Sequence, residues 1–188
     1  MQGKYLVVVS GPSGSGKDTV VEQLIKSNPY ISLAVSCTSR EKRDYEVDGE
    51  HYYFITRDEF KRYIEEGLML EWVEYSGNYY GTPISEITKR LEAKKTVILV
   101  IEVNGGMTIK KLFPDALLVF LLPPSMEELE ARLRKRRTET DSAVAHRLAI
   151  AEQEMTYAKE YDTVIVNKTV EMTTELLIKN IEIWQKNH

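Results

Sequence analysis

Apolar residues in this chain gather into short, nearly continuous runs separated by longer amphipathic stretches. Runs at residues 5–9, 31–35, 96–103, 116–122 and 163–166 have the β-branched and aromatic content of strands. The first and the third to fifth hardly alternate, which is the pattern of strands covered on both faces. Between the runs, apolar positions recur at helical spacing over residues 19–26, 84–93, 125–134, 141–160 and 170–185. Pro83 precedes the second of these, and Ser125 supplies an N-cap to the third, with acids in its first turn. Strands alternating with helices predict an α/β fold built on a mostly parallel sheet with flanking helices.

Two stretches break the rhythm. Residues 37–82 are rich in Tyr, Glu and Arg, with short strands expected at 52–55 and 69–75 around a helix from about 57 to 66. Residues 134–141 are strongly basic and then polar. An α/β core carrying two polar insertions near a phosphate site is the plan of a small phosphotransferase. The core sheet holds the donor, one insertion holds the acceptor, and the other covers the phosphates.

Composition narrows the alternatives. At 188 residues, 43% hydrophobic and 29% charged, one domain with a real core is expected. The net charge of −4 gives no basic character that would suggest a nucleic-acid partner. Cys37 is the only cysteine, so no internal disulfide can form. No apolar run approaches a membrane span, and the chain opens on a strand rather than a signal peptide, so the expected location is the cytoplasm. His51, His146 and His188 show no metal-ligand spacing.

The chemistry starts between the first strand and the first helix. Gly11, Pro12, Ser13, Gly14, Ser15, Gly16 and Lys17 spell G-x-x-x-x-G-K, followed by Asp18 and Thr19. Glycines let several backbone N–H groups converge on one anion, and the helix N-terminus adds its dipole. Lys17 brings a mobile positive charge. Asp18 stands where a Ser or Thr usually ligates Mg²⁺, so it is expected either to touch the metal shell or to turn out and cap the helix. Farther along, Ser36 to Arg43 puts hydroxyls, Arg40 and Arg43 at a strand end. The arginine forks match a second phosphate, and the same spacing also suits a solvated basic turn. Tyr52 and Tyr80 offer either hydroxyls for that phosphate or aromatic packing.

Taken in order, these motifs resemble the guanylate kinases over essentially the whole chain. Ser36 to Arg43 is similar to S-x-x-T-T-R-x-x-R, and Glu46 to Phe54 to G-E-x-[DN]-G-x-x-Y-x-F. Gly77-Asn78-Tyr79-Tyr80-Gly81-Thr82 resembles G-N-Y-Y-G-[ST], and Leu122-Pro123-Pro124-Ser125 and Val164-Ile165-Val166-Asn167 also match. The resemblance implies a P-loop nucleoside-triphosphate-hydrolase-like fold. Its core would be residues 1–36, 83–133 and 148–188, its GMP-binding insertion 37–82, and its lid about 134–147.

It further implies that ATP donates a phosphoryl group to GMP with Mg²⁺. Arg40, Arg43, Tyr52 and Tyr80 would hold the GMP phosphate, Ser36, Glu71 and Thr82 would face the guanine, and Gly81 and Glu102 would also belong to the substrate site. The phosphate loop and Asn167 would hold ATP, and Lys17, Arg40, Arg136 and Arg147 would act on the transferring group. At Glu71 the chemistry agrees: guanine offers N1–H and N2–H₂ side by side to two carboxylate oxygens, whereas adenine presents an acceptor at N1.

Several positions depart from the family pattern. Val100 replaces an acid, Glu102 an aspartate and Arg137 a glycine, Lys42 stands where proline is common, and Lys168-Thr169 stand where acids are frequent. The alternatives are a guanylate-kinase-like binding module and a related kinase acting on another phosphorylated acceptor, such as a sugar phosphate.

Overall fold

The computed structural model describes residues 3–75, 77–135 and 141–188. In chain order the elements are β1 (Leu6–Ser10), α1 (Lys17–Ser27), β2 (Ile31–Leu33), β3 (Cys37–Thr38), β4 (Tyr53–Phe54), α2 (Arg57–Glu65), β5 (Met69–Tyr75), β6 (Asn78–Pro83) and α3 (Ile84–Glu92). They continue with β7 (Thr96–Val100), α4 (Val103–Leu112), β8 (Leu117–Leu122), α5 (Met126–Lys135), α6 (Asp141–Met155), β9 (Thr163–Val166) and α7 (Val170–Asn187). Short 3-10 turns at Gly3–Tyr5 and Thr156–Glu160 lead into β1 and out of α6.

Among the described residues the strands form two sheets. The larger is parallel throughout, in the order β2-β7-β1-β8-β9, with Val8 beside Leu99 and Leu118. The smaller runs β4-β3-β6-β5, with β6 antiparallel to both neighbours and β3 parallel to β4. The predicted α/β architecture with a parallel central sheet is therefore what the chain adopts.

The two-residue period of the central strands sorts their side chains onto two cores. Leu6, Val8, Leu99, Leu118 and Phe120 pack on one face with Ile87 of α3, Ile109 of α4 and Tyr161. Val7, Val9, Ile98, Val119 and Leu121 pack on the other face with Val20 and Leu24 of α1 and Leu177 and Ile181 of α7. A small separate cluster, Leu129, Leu133, Val144 and Ala151, joins α5 to α6.

Four expectations are corrected. The run at 96–103 is not one strand, because β7 stops at Val100 and Val103 opens α4. That helix was missed because Asn104-Gly105-Gly106 is a poor helical sequence. Its glycines serve contact instead: a Cβ would lie 2.7 Å from Glu71 Oε2 at Gly105 and 2.5 Å from Tyr161 Oη at Gly106. The tyrosine-rich 78–83 motif is strand β6, which no apolar run announced. The run at 163–166 is an edge strand with Val164 and Val166 exposed, not a strand covered on both faces. The helix expected at 141–160 is α-helical only to Met155.

Leu118 lies fully buried in the middle of the central sheet. Leu118→Ala is expected to lower unfolding stability by about 2–5 kcal/mol through lost burial plus a residual cavity. Urea denaturation of the two proteins checks this.

Candidate active site

The loop after β1 turns at the C-terminal end of the parallel sheet, the usual place for ligands in such folds. Gly11 has φ 148°, and a Cβ there would lie 2.2 Å from the Leu121 carbonyl oxygen of neighbouring β8. Gly14 and Gly16 sit at φ 92° and 91°, which lets the chain curl and then enter α1. The Ser15 N–H donates to the Pro12 carbonyl at 3.0 Å and closes the turn. Lys17 Nζ folds back onto the carbonyls of Gly11 and Pro12. Ser13, Asp18 and Thr19 are exposed, whereas the Ser15 hydroxyl is buried with no partner among the described residues.

The N-cap of α1 is Gly16, and no side chain caps it. The cap position is thus held by Gly16, with Asp18 inside the first turn. Its carboxylate lies in the first turn, where the helix dipole favours it, and its field helps to raise the Tyr52 hydroxyl, whose pKa burial already pushes to about 12.

Asn167 is buried beneath the loop. Its Nδ2 donates to the Ser15 carbonyl at 2.7 Å, and its Oδ1 accepts from Thr173 at 2.9 Å. It also lines a cavity of about 310 Å³ with Gly14, Gly16, Thr19, Arg132 and Lys168. Arg132 had no assigned role in the sequence reading. From α5 its guanidinium is braced by Glu128 at 2.9 Å and approaches the Ser15 carbonyl at 3.5 Å.

On the smaller sheet, Arg40 grips Glu46 through two bonds, Nη1 to Oε2 at 2.9 Å and Nη2 to Oε1 at 2.7 Å. Glu46 also accepts from the Arg43 backbone N–H at 2.8 Å, and the Arg40 hydrogen bond, ahead of its other contacts, holds this carboxyl down at about 2. Arg40 lies 5.6 Å from the ring centroids of both Tyr52 and Phe54, and Tyr52 meets Tyr80 edge-on. Arg43 itself turns to the Tyr45 hydroxyl at 2.9 Å. Glu46 is the brace that sequence reasoning missed. It was visible as a motif letter, but its pairing across the turn was not.

Glu71 is 4% exposed. Thr82 Oγ1 donates to its Oε1 at 2.7 Å, and Ser36 Oγ lies 3.0 Å from Thr82 Oγ1, so three expected guanine contacts form one chain. Burial pushes the Glu71 carboxyl up to about 7, against the pull of the Thr82 donors. Gly81 is buried in β6, where a Cβ would lie 2.6 Å from the Glu71 carbonyl oxygen. Glu102 is the N-cap residue of α4, and its charge acts on Glu71. Arg147 lies half-buried on α6 within the field of Tyr75, and Arg136 lies outside the described residues. Cys37 is buried, and burial pushes its thiol up to about 12, which makes it inert packing.

Comparison with known proteins agrees with this geometry. The guanylate kinase family model matches residues 3–183. A guanylate kinase of Synechocystis sp. is 47% identical over 176 residues, covering 94% of this chain and 92% of the relative. One from Desulfitobacterium hafniense is 42% identical over 181 residues, covering 96% and 90%. The crystal structure of guanylate kinase from Anaplasma phagocytophilum superposes with a TM-score of 0.79 at 31% identity, covering 96% of this chain and 85% of that one. A shikimate kinase from Bacteroides thetaiotaomicron shares the fold alone, with a TM-score of 0.51 at 15% identity. With relatives matched along nine-tenths of their own length and the family model spanning nearly all of it, this chain belongs to the guanylate kinase family.

Proposed function

We infer that this protein transfers the γ-phosphoryl group of ATP to the phosphate of GMP, giving ADP and GDP. The observation that carries the reading is the buried Glu71, held by Thr82 and Ser36 at one end of a sheet whose other end presents Arg40 and Arg43. The two oxygens of an ionised Glu71 accept N1–H and one N2–H of guanine. Adenine would set an acceptor against an acceptor there, leaving a buried group unpaired.

The division of labour is the one that the family resemblance implies. Residues 37–82 hold GMP, about 134–147 cover the phosphates, and the remainder is the core. Arg40, whose fork is fixed by Glu46, holds the GMP phosphate together with Arg43, Tyr52 and Tyr80. The loop from Gly11 to Thr19 wraps the ATP phosphates with its backbone N–H groups. Asn167 and Arg132 border the ATP end. Phosphoryl transfer needs alignment and positive charge on the equatorial oxygens, a role that suits Lys17, Arg40, Arg136 and Arg147.

Mg²⁺ fits this loop in a limited way. The described residues contain no group of three or more His, Cys, Asp or Glu able to hold a metal. The exposed carboxylate of Asp18 and hydroxyl of Thr19 suit an ion held mainly by phosphate oxygens and water. Bound there, Mg²⁺ would neutralise donor phosphate charge. No helix among the described residues is long and apolar enough to cross a membrane. A cytoplasmic site of action fits the single unpaired cysteine.

An acceptor screen with ATP and Mg²⁺ tests the reading: GMP is the preferred acceptor, and AMP or a sugar phosphate used as well as GMP overturns it. Glu71→Gln replaces one acceptor oxygen with a donor, and kcat/KM for GMP is expected to fall about 100-fold or more. The wild-type KM for GMP should fall as pH rises from 6 to 8, because the raised carboxyl becomes an ionised acceptor over that interval. The variant should lack that trend. Glu46→Gln releases the Arg40 fork and is expected to raise KM for GMP about tenfold with a smaller change in kcat.

A further inference from the structure

The chain passes between its two sheets twice. It leaves the larger sheet after β2 and enters the smaller one at Cys37, then returns from Pro83 at the end of β6 into α3. The Ser36 and Thr82 hydroxyls tie these crossings together at the site. A second tie lies at Glu86, in the first turn of α3, where the residue is 7% exposed. Its Oε2 accepts from the Val35 N–H at 3.0 Å and pairs with Arg90, and its Oε1 accepts from the Tyr53 hydroxyl of β4 at 3.1 Å. Both carboxylate oxygens are thus taken, by donors from three separate stretches of chain.

Arg90, one turn further along α3, balances the charge. Its guanidinium also donates to the Glu86 carbonyl at 2.9 Å and to Ser32 Oγ of β2 at 3.1 Å. Burying both charges costs hydration, so the pair is a weak source of stability. It does fix the carboxylate's orientation, with one oxygen held by Arg90 and Val35 and the other turned to Tyr53. Each group that Glu86 holds adjoins an acceptor-site residue: Val35 precedes Ser36, and Tyr53 follows Tyr52. The Tyr53 N–H donates to the Ser36 carbonyl at 2.9 Å, so the same two segments also meet through their backbones. Successive residues of extended chain project to opposite sides. With Tyr53 turned to Glu86, Tyr52 is left beside Arg40 and Tyr80.

We propose that Glu86 is a positioning residue for the acceptor: through Val35 and Tyr53 it sets Ser36 against guanine and Tyr52 against the GMP phosphate, so that base and phosphate contacts keep a fixed separation. This rests on the GMP reading above. Among the described residues, the side-chain bonds of Glu86 and Arg90 run to β2, the first crossing, β4 and α3, and none goes to the phosphate loop or Asn167. Loss of the carboxylate therefore loosens the grip on GMP and leaves that on ATP.

The test is steady-state kinetics with Mg²⁺, varying GMP at saturating ATP and then ATP at saturating GMP. The proteins are the wild type, Tyr53→Phe, Glu86→Ala and the double variant, with thermal melts to establish folding. Tyr53→Phe keeps the ring and removes only the hydroxyl. KM for GMP is expected to rise about threefold in Tyr53→Phe and about tenfold in Glu86→Ala, with KM for ATP and kcat within about twofold of the wild type. The double variant should match Glu86→Ala, because the hydroxyl acts through the carboxylate. An unchanged KM for GMP in Tyr53→Phe overturns the proposal, and this arm decides even if the alanine variant fails to fold. Equal rises in KM for both substrates overturn it too, since a merely structural role predicts them. Wild type that phosphorylates no GMP overturns the GMP reading as well.

Discussion

A carboxyl group buried at the seam between the two sheets is the constraint on which the site depends. Burying Glu71 is unfavourable for its charged form, and the pKa shift it undergoes measures that penalty. The fold makes the placement tolerable in two ways. Thr82, itself fully buried, supplies a donor from the neighbouring strand. Gly105 lets the first turn of α4 come close enough that its N-terminal dipole favours negative charge. A side chain at Gly105 would push these apart, so one glycine links the guanine-reading strand to the core.

The phosphate loop obeys a related logic with the opposite sign. Its backbone is wedged against β8 at Gly11 and against Asn167 at Gly16, positions where a Cβ would collide. Lys17 is held on loop carbonyls, and Arg132 and Asn167 both reach the Ser15 carbonyl. The loop is thus shaped before any phosphate arrives, which limits the ordering cost of binding. Across the cleft the Arg40–Glu46 pair does the same for the acceptor. A buried carboxylate fixes the fork, so the arginine need not be ordered by its ligand.

How much of this was legible follows from range. The central strands β1, β7 and β8 are buried on both faces, and their unbroken apolar runs showed it. Strand β6 is made of Asn, Tyr, Gly and Thr because one of its faces serves ligand contacts, so hydrophobic patterning passed over it. Helix α4 hid for a similar reason, since Gly105 and Gly106 trade helical propensity for close approach. β9 read as buried because apolar content alone does not distinguish an edge strand from a central one. Among site residues, those in contiguous motifs were visible. The brace of Arg40 by Glu46 was not, because it joins two separate motifs across a turn. Arg132 was hidden among other basic residues of α5 and acquires a meaning only beside Ser15.

The central claim is that a carboxylate edge reads the N1 and 2-amino hydrogens of guanine. Calorimetric binding of GMP against IMP at pH 7.5 tests it most directly, because IMP keeps N1–H and lacks the amino group. GMP is predicted to bind about tenfold or more tightly, the difference expected when a buried acceptor loses its donor. Equal affinity for the two nucleotides would contradict it.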